Sequence, residues 1–360
     1  MKSSTRLTKS LTTGLVAGVT GLALAGCGLI YKPVGHTLNH YSLDEIVPYA
    51  LGSGDLDLAA CGTGMGLNQL GGSFSRVINR PARLMIVTNT TASFCSEMQA
   101  QKYHLLVQRN LHNGNTDAAQ DNRIVAQRWE RLTALRRYQV YQDTVDAYGE
   151  IGGDKCPDLS NELGTDQDQF IYLTGVLVGV QGLLNDIQAN SSVGIPQNVA
   201  AKAGRASECI DNQQWWGVPK ALEAVVWLSV PGNMPEGADA FAQLRQSAAI
   251  GKQAGIALPA MLYALAAYGQ SDMARQKEAI KMVADIYNAY EPNKAPDERD
   301  KNNDAAQYLL LNQIAYNEAL YLSDRIWIDA EGHRTPLVAL GSFPGEGAAN
   351  EEIDADSYLN

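Results

Sequence analysis

The chain has little of what catalytic centres are usually assembled from. Its 360 residues include five histidines, and these are scattered. No H-E-x-x-H, P-loop or C-x-x-C pattern occurs. His36 and His40 have the i, i+4 spacing of a helical metal pair, but no third ligand is nearby, so a solvated pair is expected. Alternation of β-branched residues is almost missing, which argues against sandwiches and barrels. There is no cationic excess either. With 28 Lys and Arg against 39 Asp and Glu, the net charge is −11, which argues against nucleic acid as a partner and against electrostatic docking on anionic lipid. Long apolar runs are also few: beyond the N-terminus the longest, 170–184, has 15 residues and falls short of a membrane span.

Cysteine is rare but placed with meaning. Lys2, Arg6 and Lys9 precede the apolar "LTTGLVAGVTGLALAG", which reads as a secretory signal over 1–26. It ends in Leu24-Ala25-Gly26-Cys27, which resembles a bacterial lipobox, so Cys27 is the expected lipid-attachment site. Gly28 follows it rather than an inner-membrane retention aspartate, which predicts periplasm-facing attachment to an outer membrane. Without the three basic signal residues the charge becomes −14. The other four cysteines, Cys61, Cys95, Cys156 and Cys209, allow two disulfides with three connectivities.

The remaining pattern is helical. After a polar tether over 27–52, helices are predicted at 55–76, from Pro81 to about 111, and on to Tyr148 with core positions Ile124, Trp129, Leu132, Tyr138, Tyr141 and Val145. Others follow at 166–189, 196–209, 219–229, 238–269 with a kink at Pro259, 272–290 and 304–329. The expected fold is all-α: antiparallel hairpins forming one domain over 53–343, as a bundle or a tetratricopeptide-like α-solenoid with degenerate repeats. An acidic, loose tail over 344–360 completes the chain.

"DLDLAACGTGMG" (55–66) resembles a methyltransferase glycine loop, but no strand feeds it. Its small residues instead predict close packing against the next helix. Cys61 and Cys95 each lie 17 residues from Ile78 near the connecting turn, and equal distances from an antiparallel turn come level. Cys61–Cys95 is therefore the preferred pair, leaving Cys156 with Cys209.

Two stretches concentrate candidate binding residues. "CIDNQQWWGVPKALEAVVW" (209–227) holds Trp215, Trp216 and Trp227, read as a staple at a helix start or as an aromatic wall of a pocket or partner surface. In "SDRIWIDAEGHRTP" (323–336), Gly332, His333 and Pro336 read as helix termination. Arg325 is left over, for a buried ion pair or an anion contact.

The lipobox, "DLDLAACGTGMGLNQLGGSF", "GIPQNVAAKA…CIDNQQWWGVPKALEAVVW" and "SDRIWIDAEGHRTP" together resemble the T-component lipoproteins associated with TRAP transporters (the TatT family), across about residues 40 to 343. The resemblance implies a lipid-anchored helical protein that assembles, as trimers in the described case, around a pore-like channel. It also implies docking on a periplasmic solute-binding P-component, with no catalytic residue and no cofactor. A structural scaffold without a small ligand is the alternative. An enzyme would require convergent buried carboxylates or histidines.

Overall fold

In a computed structural model, described for residues 30–346 except 159, 231 and 290–302, every regular element among the described residues is helical. The expected signal over 1–26, Cys27, residues 290–302 and most of the expected tail over 344–360 lie outside the described residues. Helix α1 covers 30–51, with a π turn at Ser42–Ile46 and a last stretch Val47–Leu51. Helix α2 begins as a π turn, Asp57–Thr63, and continues as Gly64–Phe74. Helices α3 (Ala82–His112) and α4 (Thr116–Tyr148) form the longest hairpin. Helix α5 (Asp166–Gln188) is central, packing on α3 and α4 on one side and α6 (Asn198–Ser207) on the other. Then come α7 (Val218–Ser229), α8 (Ala240–Ala254), α9 (Leu258–Gly269), α10 (Met273–Ala289) and, after a single turn at Asp304–Gln307, α11 (Leu309–Glu331). Successive helices pack on one another, and α11 returns to close against α3, α9 and α10. Helix α5 is long and apolar enough to cross a bilayer, but most of it is buried in the core.

Four sequence expectations need correction. The tether expected over 27–52 is helical from residue 30, with Leu43 and Val47 in the core and Gln167 Nε2 donating to the Leu43 carbonyl at 2.7 Å. Leu43, Ile46, Val47 and Leu51 have helical spacing, and Pro48 falls in the first turn after the π turn. The segment 238–269 is two helices, not one kinked helix. Gly255 (φ 73°) ends α8, and Pro259 sits in the first turn of α9. Asn312 clamps this break, accepting from Ala257 N and donating to the Gly255 carbonyl, both at 2.8 Å. The start of the tail is docked, not loose: Glu346 pairs with Lys277 and Lys281 beside the buried Phe343.

The fourth correction concerns the core face of α4. Ile124 and Val145 are exposed, while Ala126, Glu130, Thr133, Arg137, Tyr141, Thr144 and Tyr148 point inward at helical spacing. Helix α5 offers Gly175, Gly179 and Gly182 against Thr144, Tyr141 and Arg137, where a Cβ would lie within 2.0–2.9 Å of those side chains. The two helices therefore approach closely enough to bury a polar stripe, and the stripe is satisfied by partners described below.

Both disulfides form as paired from the sequence, Cys61–Cys95 and Cys156–Cys209, each with a Cα–Cα distance of 5.5 Å. They close loops of 34 and 53 residues, and loop-closure entropy assigns about 4 kcal/mol to each. Of the small residues near Cys61, Gly64 carries the closest approach: a Cβ there would meet Thr91 Oγ1 at 2.3 Å, whereas Gly66 faces open space. Gly64→Leu is expected to cost about 1–3 kcal/mol by overpacking, with Gly66→Ala near neutral. Urea denaturation of the two variants checks this, and equal effects would contradict the assigned packing.

Candidate functional site

A solvent-open cleft of ≈ 460 Å³ lies between α1, the start of α3, the end of α4 and the start of α5. That volume lies within the usual range for small-molecule sites. The first turn of α3 follows Pro81 and has no side-chain cap, so its N–H groups and dipole favour an anion there. Arg80 and Arg83 flank that turn and line the cleft, both about half-exposed. Each is steered by a carboxylate behind it. Arg80 Nε donates to Asp143 Oδ1 at 2.8 Å, and Arg83 pairs with Asp168 Oδ1 at 2.8 Å over the Tyr148 ring. These bonds use only part of each guanidinium's five donors.

Asp143 is fully buried and also accepts from Asn89 Nδ2 at 3.0 Å. Burial outweighs these partners and holds its carboxyl above the usual range. Asp44 and Asp146 supply negative charge elsewhere in the lining, and the buried Asn39 Oδ1 there has no hydrogen-bond partner among the described residues. The cleft lining thus combines two guanidiniums with the carboxylates of Asp44, Asp146 and Asp168. Such a surface suits a small polar solute with an anionic group.

A second polar assembly lies inside the bundle. Arg137 of α4 is 2% exposed and makes a two-pronged pair with Glu97 of α3, with NH1 to Oε1 at 2.7 Å and NH2 to Oε2. It also donates to Asn185 Oδ1 of α5 at 2.6 Å and to Ser93 Oγ at 3.3 Å. Asn185 Nδ2 donates to Glu130 Oε2 at 2.7 Å, and the other Glu130 oxygen meets His104 Nε2 at 2.8 Å. Beside them Glu318 of α11 accepts from Gln101 Nε2 at 2.7 Å. Burial, reinforced by the nearby Glu97 carboxylate, pushes the Glu318 carboxyl up to about 8. Charged groups in such a setting are tolerated only when paired and hydrogen-bonded. Convergent buried carboxylates and a histidine, the arrangement an enzyme would require, are therefore present, but their donors and acceptors mostly satisfy one another and none of them lines the cleft, which fits locking α3, α4, α5 and α11 in register. Among the described residues no group of three His, Cys, Asp or Glu is placed to hold a metal ion.

The candidate residues from the sequence are dispersed. Trp215 and Trp216 are each 3% exposed and touch Phe170 and Tyr308. Their indole N–H groups donate to Gln169 Oε1 at 2.9 Å and Asp304 Oδ2 at 2.8 Å. Trp216 has φ 56° and the following Gly217 φ 85°, so the turn before α7 aims both rings inward. Side chains so buried cannot present themselves to a partner protein, which corrects the docking-surface option. Trp216 does line a hollow, where the Thr90 and Gln181 side-chain oxygens have no hydrogen-bond partner among the described residues, but its ≈ 50 Å³ is too small for a solute.

Trp227 is half-buried on α7, packed against the main core. Arg325 lies in a different place again, stacked on Tyr268 and Tyr321 at 5.1 and 5.7 Å and bonded to Tyr321 Oη at 3.2 Å. Its direct side-chain contacts among the described residues are aromatic, and the carboxylate that acts on its charge is Asp329; the neighbouring Asp324 instead bonds Thr335 N at 3.0 Å. Gly332 does end α11, with φ 76°.

The described residues define a disulfide-stapled, all-α protein that carries a ligand-sized polar cleft. No family model, curated protein or solved structure matches the chain.

Proposed function

We propose that this protein is a lipid-anchored binding module of the cell envelope, which holds a small polar solute in the cleft beside Arg80 and Arg83 and works without catalysis. The observation that carries the reading is the cleft itself: ligand-sized, open, and lined by two guanidiniums at an uncapped helix start. The lipobox at Cys27 supports attachment to the outer membrane, facing the periplasm. The resemblance to the TRAP-associated T-components supports a periplasmic solute-binding protein as partner and a trimeric assembly. Transfer between two such proteins requires only recognition and shelter, and the mixed charge of the cleft supplies the first.

Two tests follow. Thermal-shift titration with small carboxylates, phosphates and amino acids should find a saturable stabiliser whose affinity falls at least about tenfold in Arg83→Gln, the loss of one charge-assisted contact. A flat response across the panel would favour the scaffold alternative. In cells, Cys27→Ala should leave the protein unprocessed or released from membranes; retention in washed membranes with a correctly cleaved N-terminus would remove the anchor from the proposal.

A further inference from the structure

Helix α1 has an apolar face that nothing among the described residues covers. Ile30, Tyr31, Val34, Leu38 and Tyr41 are 65%, 56%, 47%, 39% and 56% exposed. At 3.6 residues per turn they share one arc of roughly 100°. The adjacent arc faces the body, where Gly35 is buried against Val77 and Ile78 and is followed by the buried Ser42 and Leu43. Lys32, His36, Thr37 and His40 occupy the remaining, solvent-facing side. A helix of an isolated globular protein has no reason to place five large apolar side chains in water on one line.

We infer that this face lies in the headgroup region of the membrane, as an interfacial helix that fixes how the body sits on the bilayer. Three observations select lipid as the occupant. The face begins three residues after Cys27, a stretch that reaches at most roughly 10 Å, so an acyl-modified Cys27 would hold the first turn at the bilayer. Residues 30–41 contain no Asp or Glu and one Lys, in a chain that is otherwise strongly acidic. The exposed aromatics are tyrosines at both ends of the face, the residue type that settles at membrane–water interfaces. The inference takes from the proposed anchor only the position of the bilayer. It adds that attachment is two-point, and that the cleft, whose lining includes Asn39, His40 and Asp44 of the same helix, is held at a fixed height and orientation.

The test separates the helix from the acyl chain. The full mature chain carrying Cys27→Ser, made without its signal and therefore unacylated, is floated with vesicles of phosphatidylethanolamine and phosphatidylglycerol. It should partition onto them, and Val34→Asp with Leu38→Asp should lower the partition coefficient at least roughly tenfold. Tyr31→Ser with Tyr41→Ser should lower it in the same direction. All substituted side chains are exposed, and circular dichroism checks that the fold persists. No partition of the unacylated chain, or equal partition of all three proteins, would overturn the inference. So would a concentration-dependent dimer lost in the Asp variant without vesicle binding, which would assign the face to a second copy. Release of Cys27→Ala from cell membranes bears on the anchor alone, because vesicle binding of the unacylated chain is read independently.

Discussion

Replacing Arg137 with methionine should lower stability by about 3–5 kcal/mol, the usual consequence of removing one partner of a buried ion pair. The guanidinium is 2% exposed and joins Glu97, Asn185 and Ser93 from two neighbouring helices. Its loss leaves the Glu97 carboxylate, 14% exposed, without its counter-charge. Adding Glu97→Leu to Arg137→Met should recover a large part of the loss, because the cost is mainly that of the orphaned charge. Urea denaturation followed by circular dichroism reads both. A single-variant cost below about 1 kcal/mol, the range of an exposed pair, would mean that the assembly does not lock the helices.

The second large effect is a pH dependence set by Glu318. Its carboxyl titrates near 8 in the folded protein because burial and the Glu97 charge disfavour ionisation, against about 4.3 when unfolded. Between these values the unfolded chain has released a proton that the folded chain retains. Its contribution is therefore complete below the unfolded value and is lost as pH rises through the window to the folded value. The loss is complete once the pH has passed the folded value. Glu318→Gln keeps a neutral partner for Gln101 and should flatten this decline. Melting temperatures of both proteins between pH 5 and 9 measure it, and parallel profiles would contradict the assignment. Asp143 and Asp324, also raised by burial, add slopes of the same sign in both proteins and cancel in the comparison.

The disulfide register was legible because a hairpin makes it arithmetic: equal distances from a turn place Cys61 level with Cys95. Helix termination at Gly332 was legible for a similarly local reason, a left-handed cap that glycine alone adopts cheaply. The buried network was not, because polar residues at helical spacing read as a solvated face. Glu97, Gln101 and His104 on α3, with Glu130, Thr133 and Arg137 on α4, carry that spacing. Only the glycines of α5 betray that a helix comes close enough to cover it.

The cleft was illegible for a different reason. Its walls come from residues 39–44, 80–84, 146–147 and 165–168, and no local pattern links these segments. The tryptophans drew attention because they are large and clustered, yet the same size makes them good core.

Whether the cleft holds a solute is read by native mass spectrometry of the protein isolated gently from its own cells. The predicted result is a small-molecule adduct at one per chain that is lost in Arg83→Gln while the fold is kept. Bare wild-type protein, or an adduct retained equally by Arg83→Gln, would contradict it.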